Sequence, residues 1–420
     1  MTKRQVSILL FTAIEWFDYI IFLGLSPLFA KIFFPQDINF HTSLLLTVSV
    51  FSISYVCRPL GGTVMGILAD KYNRYNIFKY SVGIMVVSTI LMACVPTYSS
   101  IGILCLFILL FVRMLQSFSI GAEYSLSFVI MYDHASSDKK YFIPSLINAA
   151  LAIGVLAATL LIYYLSYMGV ITPTSNAWRY IFLFSACMFF ASWVFRVKAY
   201  DRTQVTKHNP NISLFRVLQS EKYTVIATVA YISFSAVGFY MFSVMSSTTL
   251  NSLGYSPLNS LMISSIGVLA TIIFIPFWGK IHDLGNPFKL QLYGIVLLFA
   301  FSFLHTYLMY LKNYPLIFLG QFIFGAILSI NMAALPSYLS KIFAINNRSY
   351  LLGFTYNIAL VIFGATTPVV IVALSGLSQY MHIIYFGVIC IISALGICKL
   401  EGGLEIKDIS SNRSNHIQPI

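Results

Sequence analysis

Long apolar runs alternate with short polar breaks along the whole chain. The runs cover residues 6–34, 42–69, 77–95, 100–132, 141–168 and 178–198, then 222–250, 258–281, 288–310, 315–343, 349–374 and 380–399. About 20 apolar residues in helical conformation cross the hydrocarbon core of a bilayer. The pattern therefore predicts an all-α membrane protein with twelve transmembrane helices. The longest hydrophilic stretch, Ala199 to Glu221, holds Asp201, Arg202, Lys207, Asn209 and Pro210 and divides the twelve into six and six. The expected organisation is a six-helix bundle over 1–198, a cytoplasmic linker over 199–221, a second bundle over 222–400 and a short cytoplasmic tail over 401–420.

Composition agrees: 59% of residues are hydrophobic and 9% charged, against about 25% charged in a soluble domain. A net charge of +12 would suit nucleic acid, but its distribution excludes that reading. About twenty of the 25 Lys and Arg residues fall in alternate loops, leaving Lys31, Arg179 and Lys312 on the other side. The positive-inside rule then places both termini in the cytoplasm, and the basic balance is topological. Contact with anionic lipid adds a further use for it. The six cysteines stand singly in apolar segments, without metal or redox spacing, and read as packing residues. No phosphate loop, nucleophile triad or metal cluster points to an enzyme or a cofactor. The first apolar run is too long for a signal peptide and carries two acids, so it reads as the first membrane helix.

Five ionisable side chains lie inside predicted spans, all in the first third of the chain: Glu15, Asp18, Arg58, Arg113 and Glu123. A charge at the bilayer centre costs roughly 2.5–3.5 kcal/mol on insertion scales, so such residues face one another or a water-filled path. Glu15 and Asp18 are three apart and share a helix face. Arg113 and Glu123 are ten apart, about 15 Å along a helix, and cannot serve one point. A guanidinium suits a substrate carboxylate, which makes Arg58 and Arg113 candidate binding residues. A desolvated carboxylate can take and release a proton near neutrality, which makes Asp18, Glu123 and Glu15 candidate proton carriers. The bland alternative is a set of ion pairs that only orient helices. In the second half His305 is the sole mid-span titratable residue, and Tyr231, Tyr240, Gln321, Asn331, Tyr356 and Asn357 could complete a cavity.

A repeat marks the second span of each half. Gly66-Ile67-Leu68-Ala69-Asp70-Lys71-Tyr72-Asn73-Arg74 is echoed by Gly279-Lys280-Ile281-His282-Asp283-Leu284-Gly285. Parallel halves of this kind are a transporter design. The first copy is similar to the loop motif G-x-x-x-D-[RK]-x-G-R-[RK] of the major facilitator superfamily, with Asn73 and Tyr75 departing from it. Other stretches resemble the metabolite:proton symporter subfamily, which includes proline/betaine and α-ketoglutarate carriers. They are Glu15-Trp16-Phe17-Asp18-Tyr19 with Gly24 and Phe33-Phe34-Pro35, Arg58-Pro59-Leu60-Gly61-Gly62, and Arg113 through Glu123. Gly353, Tyr356-Asn357, Phe363-Gly364 and Pro368 extend the likeness into the eleventh span. Ser117, Ala122 and Lys341 depart from the subfamily pattern.

The resemblance implies a monomeric, proton-driven importer of a small carboxylate-bearing or zwitterionic metabolite in a bacterial-type inner membrane. It also implies substrate contacts at Tyr356 and Asn357 and a gating role for Gly66, Asp70, Lys71 and Arg74. The implied partner of Asp70 is the start of the eleventh helix, near Ser349, since a carboxylate stabilises a helix N-terminus. A drug-exporting antiporter of the same fold is the competing expectation, although two membrane arginines disfavour a cationic cargo.

Overall fold

The computed structural model describes residues 1–35, 37–72, 74–172, 175–199, 214–344, 347–375, 378 and 380–415. These residues form helices and short turns, with no strand among them. Among the described residues, twelve helices are long and apolar enough to cross a membrane. They are α1 Lys3–Gly24, α2 Thr42–Lys71, α3 Asn76–Cys94, α4 Leu104–Asp133, α5 Ser137–Tyr167 and α6 Ala177–Phe195 in one half. The other half has α7 Lys222–Ser243, α8 Leu258–Leu284, α9 Pro287–Tyr310, α10 Tyr314–Ile342, α11 Arg348–Ile371 and α12 Met381–Gly403.

Several helix starts follow from local sequence. Thr2 and Gln5 form a reciprocal capping box at the start of α1. Ser256, Asn286 and Asn313 cap α8, α9 and α10 through their side chains, each with Pro in the first two helical positions. The long helices of α5, from Phe142, and α11, from Arg348, have no side-chain cap of their own. Their first-turn N–H groups are satisfied from elsewhere, as described below.

Within the first half, α1 packs on α5 and α6, α2 on α4, and α3 on α4 and α6. Within the second, α8 packs on α10, α7 on α12 and α11, and α9 on α10 and α12. Two long contacts join the halves, α2 against α11 and α5 against α8. Large apolar side chains such as Phe107, Phe111, Val296 and Leu395 point outward, where a bilayer solvates them. Inside the first half, Phe29, Phe33, Trp178 and Phe182 pack as one aromatic group.

Two spans expected to be continuous are broken. The first half-turn after α1 restarts as a short helix, Ser26–Ile32, with Pro27 near its start. Helix α2 is interrupted at Tyr55–Val56 and resumes at Cys57, because Pro59 has no N–H for Tyr55 O. Short π-helical segments, Met241–Met245 after α7's first part and Leu360–Gly364 within α11, widen two more helices. Pro368 follows the second of these and cannot donate back to Gly364 O. The expected linker lies mostly over residues outside those described, apart from a short helix at Leu214–Ser220. The expected tail instead begins as helix: α12 continues through Gly402 and Gly403 to Asn415, with Tyr338 Oη donating to Glu401.

Candidate functional site

The break in α2 and the starts of the two π-helical segments meet around one cavity between the halves, with about 530 Å³ of empty space including its open mouth. Its rings come from Trp16 of α1, Tyr55 of α2, Tyr124 of α4, Phe239 and Tyr240 of α7 and Tyr356 of α11. Arg58 is the only charged residue among the described lining residues. It is the second residue of the second segment of α2, just after the break that Pro59 causes.

Arg58 is 2% exposed. Its guanidinium lies 4.2 Å from the Tyr55 ring centroid and 5.3 Å from that of Tyr19, and Tyr19 and Tyr55 hydroxyls hydrogen-bond each other. Arg58 Nε has no hydrogen-bond partner among the described residues. A buried guanidinium with an unmet donor can receive a carboxylate. The rings form the opposite requirement. Trp16 lies 6.2 Å from Tyr124 and 6.1 Å from Phe239, and Tyr124 lies 5.2 Å from Tyr356. At these separations and angles the rings pack on one another, and the faces they leave open to the cavity can attract a cation.

All five predicted membrane charges are buried, but only Arg58 reaches the cavity wall. Arg113 belongs to a network inside the first half. Its Nη1 donates to Gln116 Oε1 at 2.7 Å, and Gln116 Nε2 donates to Asp18 Oδ2 at 3.2 Å and Thr89 Oγ1 at 3.1 Å. The Arg113 guanidinium also lies 4.0 Å from the Phe22 ring centroid. Asp18 and Arg58 are both within electrostatic reach of Arg113. Glu123 sits apart and accepts from Ser81 Oγ. Glu15 is within electrostatic reach of Tyr124 and Tyr356, both cavity residues.

Of the other expected cavity groups, Tyr240 and Tyr356 line it. Asn357 does not: its Nδ2 donates to Gly121 O at 2.8 Å and to Gly353 O at 2.6 Å in the α11–α4 contact. Tyr231 and Asn331 bind Gln291 inside the second half, and His305 packs on Phe324 there. Trp16 stood only inside a family motif without a site role, and Tyr55, Tyr124, Asn148 and Phe239 were not singled out from sequence. Trp16 and Tyr124 had a usable signal, since each directly follows a membrane acid.

At one end of the molecule the repeated Gly and Asp residues close the halves together. Asp70 Oδ2 accepts the Tyr350 N–H at 3.1 Å. Asp283 accepts the Tyr141 and Phe142 N–H groups at 2.7 and 2.9 Å. Each carboxylate thus supplies the cap that the start of α11 or α5 lacks in its own sequence. The glycines let the backbones approach. A Cβ on Gly66 would lie 2.5 Å from Tyr350 Cα, and one on Gly279 would lie 3.1 Å from Phe142 Cα. Arg348 adds an ion pair to Asp133 at 2.8 Å across the same end. Lys71 is exposed with its Nζ over the Tyr72 ring. The Arg74 side chain lies outside the described residues.

The Major Facilitator Superfamily profile matches residues 8–368. A Staphylococcus haemolyticus protein provisionally named a proline/betaine transporter is 27% identical over 370 residues, covering 85% of this chain and 78% of its own. The Dickeya dadantii glycine betaine/proline/ectoine/pipecolic acid transporter OusA is 26% identical over 414 residues, covering 94% and 82%. Among solved structures, the proton:xylose symporter XylE superposes with a TM-score of 0.75 at 14% identity, over 95% of this chain and 94% of its own. The human organic anion transporter MFSD10 gives 0.72 at 13% identity, over 95% and 99%. With twelve spans, paired halves and a cavity between them, this chain belongs to the Major Facilitator Superfamily and is a multi-pass transporter of the plasma membrane, not an enzyme.

Proposed function

We propose that the protein imports a small zwitterion bearing one carboxylate, such as glycine betaine or proline, together with a proton. The observation that carries this reading is the pairing of one buried arginine, Arg58, with an aromatic box in a single cavity. Arg58 takes the carboxylate, while Trp16, Tyr124, Phe239 and Tyr356 take the ammonium end. A lone guanidinium offers no second site for a dicarboxylate. It also opposes a cationic drug, which disfavours the efflux reading. The names of the bacterial relatives agree with this cargo class.

Coupling follows from charge counting around Arg58. Arg58 and Arg113 carry two positive charges and Asp18 one negative. A proton on Asp18 removes the countercharge beside Arg113 and so strengthens the arginines' pull on the substrate carboxylate. By linkage, the bound carboxylate strengthens the hold on the proton to the same degree. Substrate and proton then travel together, and Glu123 and Glu15 are further stations for it. With both termini in the cytoplasm, as the loop charges imply, the end sealed by Asp70 and Asp283 faces inward. The arrangement then is one state of an alternating cycle, run by a monomer on the proton gradient without a cofactor.

Replacing Asp18 by Asn together with Glu123 by Gln is expected to abolish pH-driven accumulation in proteoliposomes. Exchange of labelled for unlabelled substrate, which needs no net proton movement, is expected to persist. Accumulation that survives in the double variant would remove both acids from the coupling path. In a second test, Trp16→Ala is expected to raise the KM for glycine betaine by about three- to thirtyfold, the range of one cation–π contact of ~0.5–2 kcal/mol. An unchanged KM would take Trp16 out of the box.

A further inference from the structure

Two asparagines in corresponding helices of the two halves make the same unusual contact. Asn148 of α5 donates Nδ2–H to Met332 O of α10 at 2.6 Å. Asn357 of α11 donates Nδ2–H to Gly121 O of α4 at 2.8 Å. Helix α5 of the first half corresponds to α11 of the second, and α4 to α10. Each amide therefore crosses to the other half's fourth helix, and the pair follows the internal repeat. Both side chains are about 1% exposed.

The position of the pair is as regular as its chemistry. Asn148 is six residues beyond the Phe142 N–H held by Asp283, and Asn357 is seven beyond the Tyr350 N–H held by Asp70. At 1.5 Å per residue each amide stands about 9–11 Å above its capped helix start. The closed end thus has two storeys: carboxylates on helix N-termini below, and amides on mid-helix carbonyls above. Pro336 has no N–H to give Met332 O, so Asn148 satisfies a carbonyl that its own helix leaves free, while Gly121 O takes Asn357 in addition to the Ser125 hydroxyl.

The upper storey also touches the cavity. Asn148 lines it, and its Oδ1 accepts the Tyr124 hydroxyl, whose ring is part of the aromatic box. Tyr124 in turn packs on Tyr356, the residue before Asn357. A substrate that presses on either ring acts on the side chains that hold the halves together.

We propose that Asn148 and Asn357 are a paired polar latch, positioning residues that hold the sealed end shut and connect its closure to the contents of the cavity. The proposal rests on the carrier reading only in taking the sealed end as one that opens. When the halves part, Asn148 loses Met332 O and Asn357 loses Gly121 O, keeping only its bond to Gly353 O of its own helix, together with the aspartate caps. The deeper storey is thus the last to let water pass from the opening end into the cavity.

The test is a distance measurement that needs no knowledge of the substrate or of proton coupling. Spin labels at Lys71 and Leu284, exposed residues at the sealed ends of α2 and α8, report the gap between the halves by pulsed electron resonance. The background has the exposed cysteines replaced by Ser. Asn148→Leu and Asn357→Leu keep the side-chain bulk and remove the donor. Each is expected to shift the population toward the long distance by about fivefold, the weight of one buried hydrogen bond. The shift is expected with an unchanged melting temperature. Because Asn357→Leu crowds Gly62, where a Cβ would lie 2.5 Å from Asn357 Nδ2, Asn148→Ala and Asn357→Ala repeat the measurement without added bulk. Adding saturating glycine betaine is expected to change the distribution in the parent and to change it less in the Asn148 variants. A distance distribution that stays at the parental one in the alanine variants overturns the latch. Failure of glycine betaine uptake alongside a shifted distribution would instead count against the cargo and leave the latch standing.

Discussion

Arg58→Lys is expected to raise the substrate concentration for half-maximal uptake by about ten- to a hundredfold. The two side chains carry the same charge, so the effect isolates geometry. Arg58 is held by the Tyr55 and Tyr19 rings at 4.2 and 5.3 Å, a stacking that a planar guanidinium uses and an ammonium does not. Its fork presents two parallel donors to one carboxylate, whereas an ammonium meets it as a point charge. Hydrogen bonds to charged groups contribute roughly 1.5–3 kcal/mol, which is about a ten- to hundredfold change in affinity. Arg58→Ala should abolish uptake, since the carboxylate would then enter a desolvated cavity with no countercharge. The control is Arg113→Lys. Arg113 is bound to Gln116 and lies outside the cavity, so its replacement should alter pH dependence more than substrate affinity. Concentration-dependent uptake in proteoliposomes reads all three. Equal effects at both arginines would place the carboxylate between them.

The second large effect is expected at Gly66. A Cβ there would stand 2.5 Å from Tyr350 Cα and 2.9 Å from Ser349 O, both backbone atoms of α11. Backbone cannot rotate aside as a side chain can, so Gly66→Leu must hold α2 and α11 apart. Strain at the upper end of the overpacking range, about 3 kcal/mol, falls on the sealed state alone and shifts its population about a hundredfold. Net uptake should fall close to background while the protein stays folded, because the open state carries no such clash. Gly83 provides the comparison: a Cβ there meets nothing within 4 Å, so Gly83→Leu should transport normally. Labelling of a cysteine at Tyr356 from the sealed side distinguishes the outcomes. Reactivity that rises in Gly66→Leu supports a trapped open end, and reactivity that does not rise refutes it.

The sequence made the membrane architecture readable because bilayer thickness imposes a length on every apolar run. It made the sealed end readable for a different reason. A glycine at a fixed distance before an aspartate, repeated in both halves, has few uses besides close helix approach and a cap. The structure puts Asp70 at the start of α11, where a carboxylate was expected.

The cavity was much less readable. Arg58 stood out because a charge is rare in a membrane helix, but rarity does not say which way a side chain points. Arg113 looked equivalent and lies instead in the Asp18–Gln116–Thr89 network. Tyr356 and Asn357 are adjacent in sequence, yet 100° apart around a helix, so one faces the cavity and the other the α4 backbone. The aromatic box could not be picked from 36 Phe and 27 Tyr residues, most of which face lipid or core. Periodicity also did not reveal the break at Tyr55–Val56. Pro59 was visible, but Pro is tolerated in membrane helices wherever neighbours satisfy the freed carbonyl.

The most direct test of the central claim is proton movement in liposomes that enclose a pH-sensitive dye. Glycine betaine, proline and a dicarboxylate such as succinate are each added outside in the absence of a pre-set gradient. The Arg58 and aromatic-box account predicts acidification of the interior with glycine betaine or proline, no signal with succinate, and loss of the signal in Arg58→Ala. Acidification driven by succinate, with the two zwitterions silent, would contradict it.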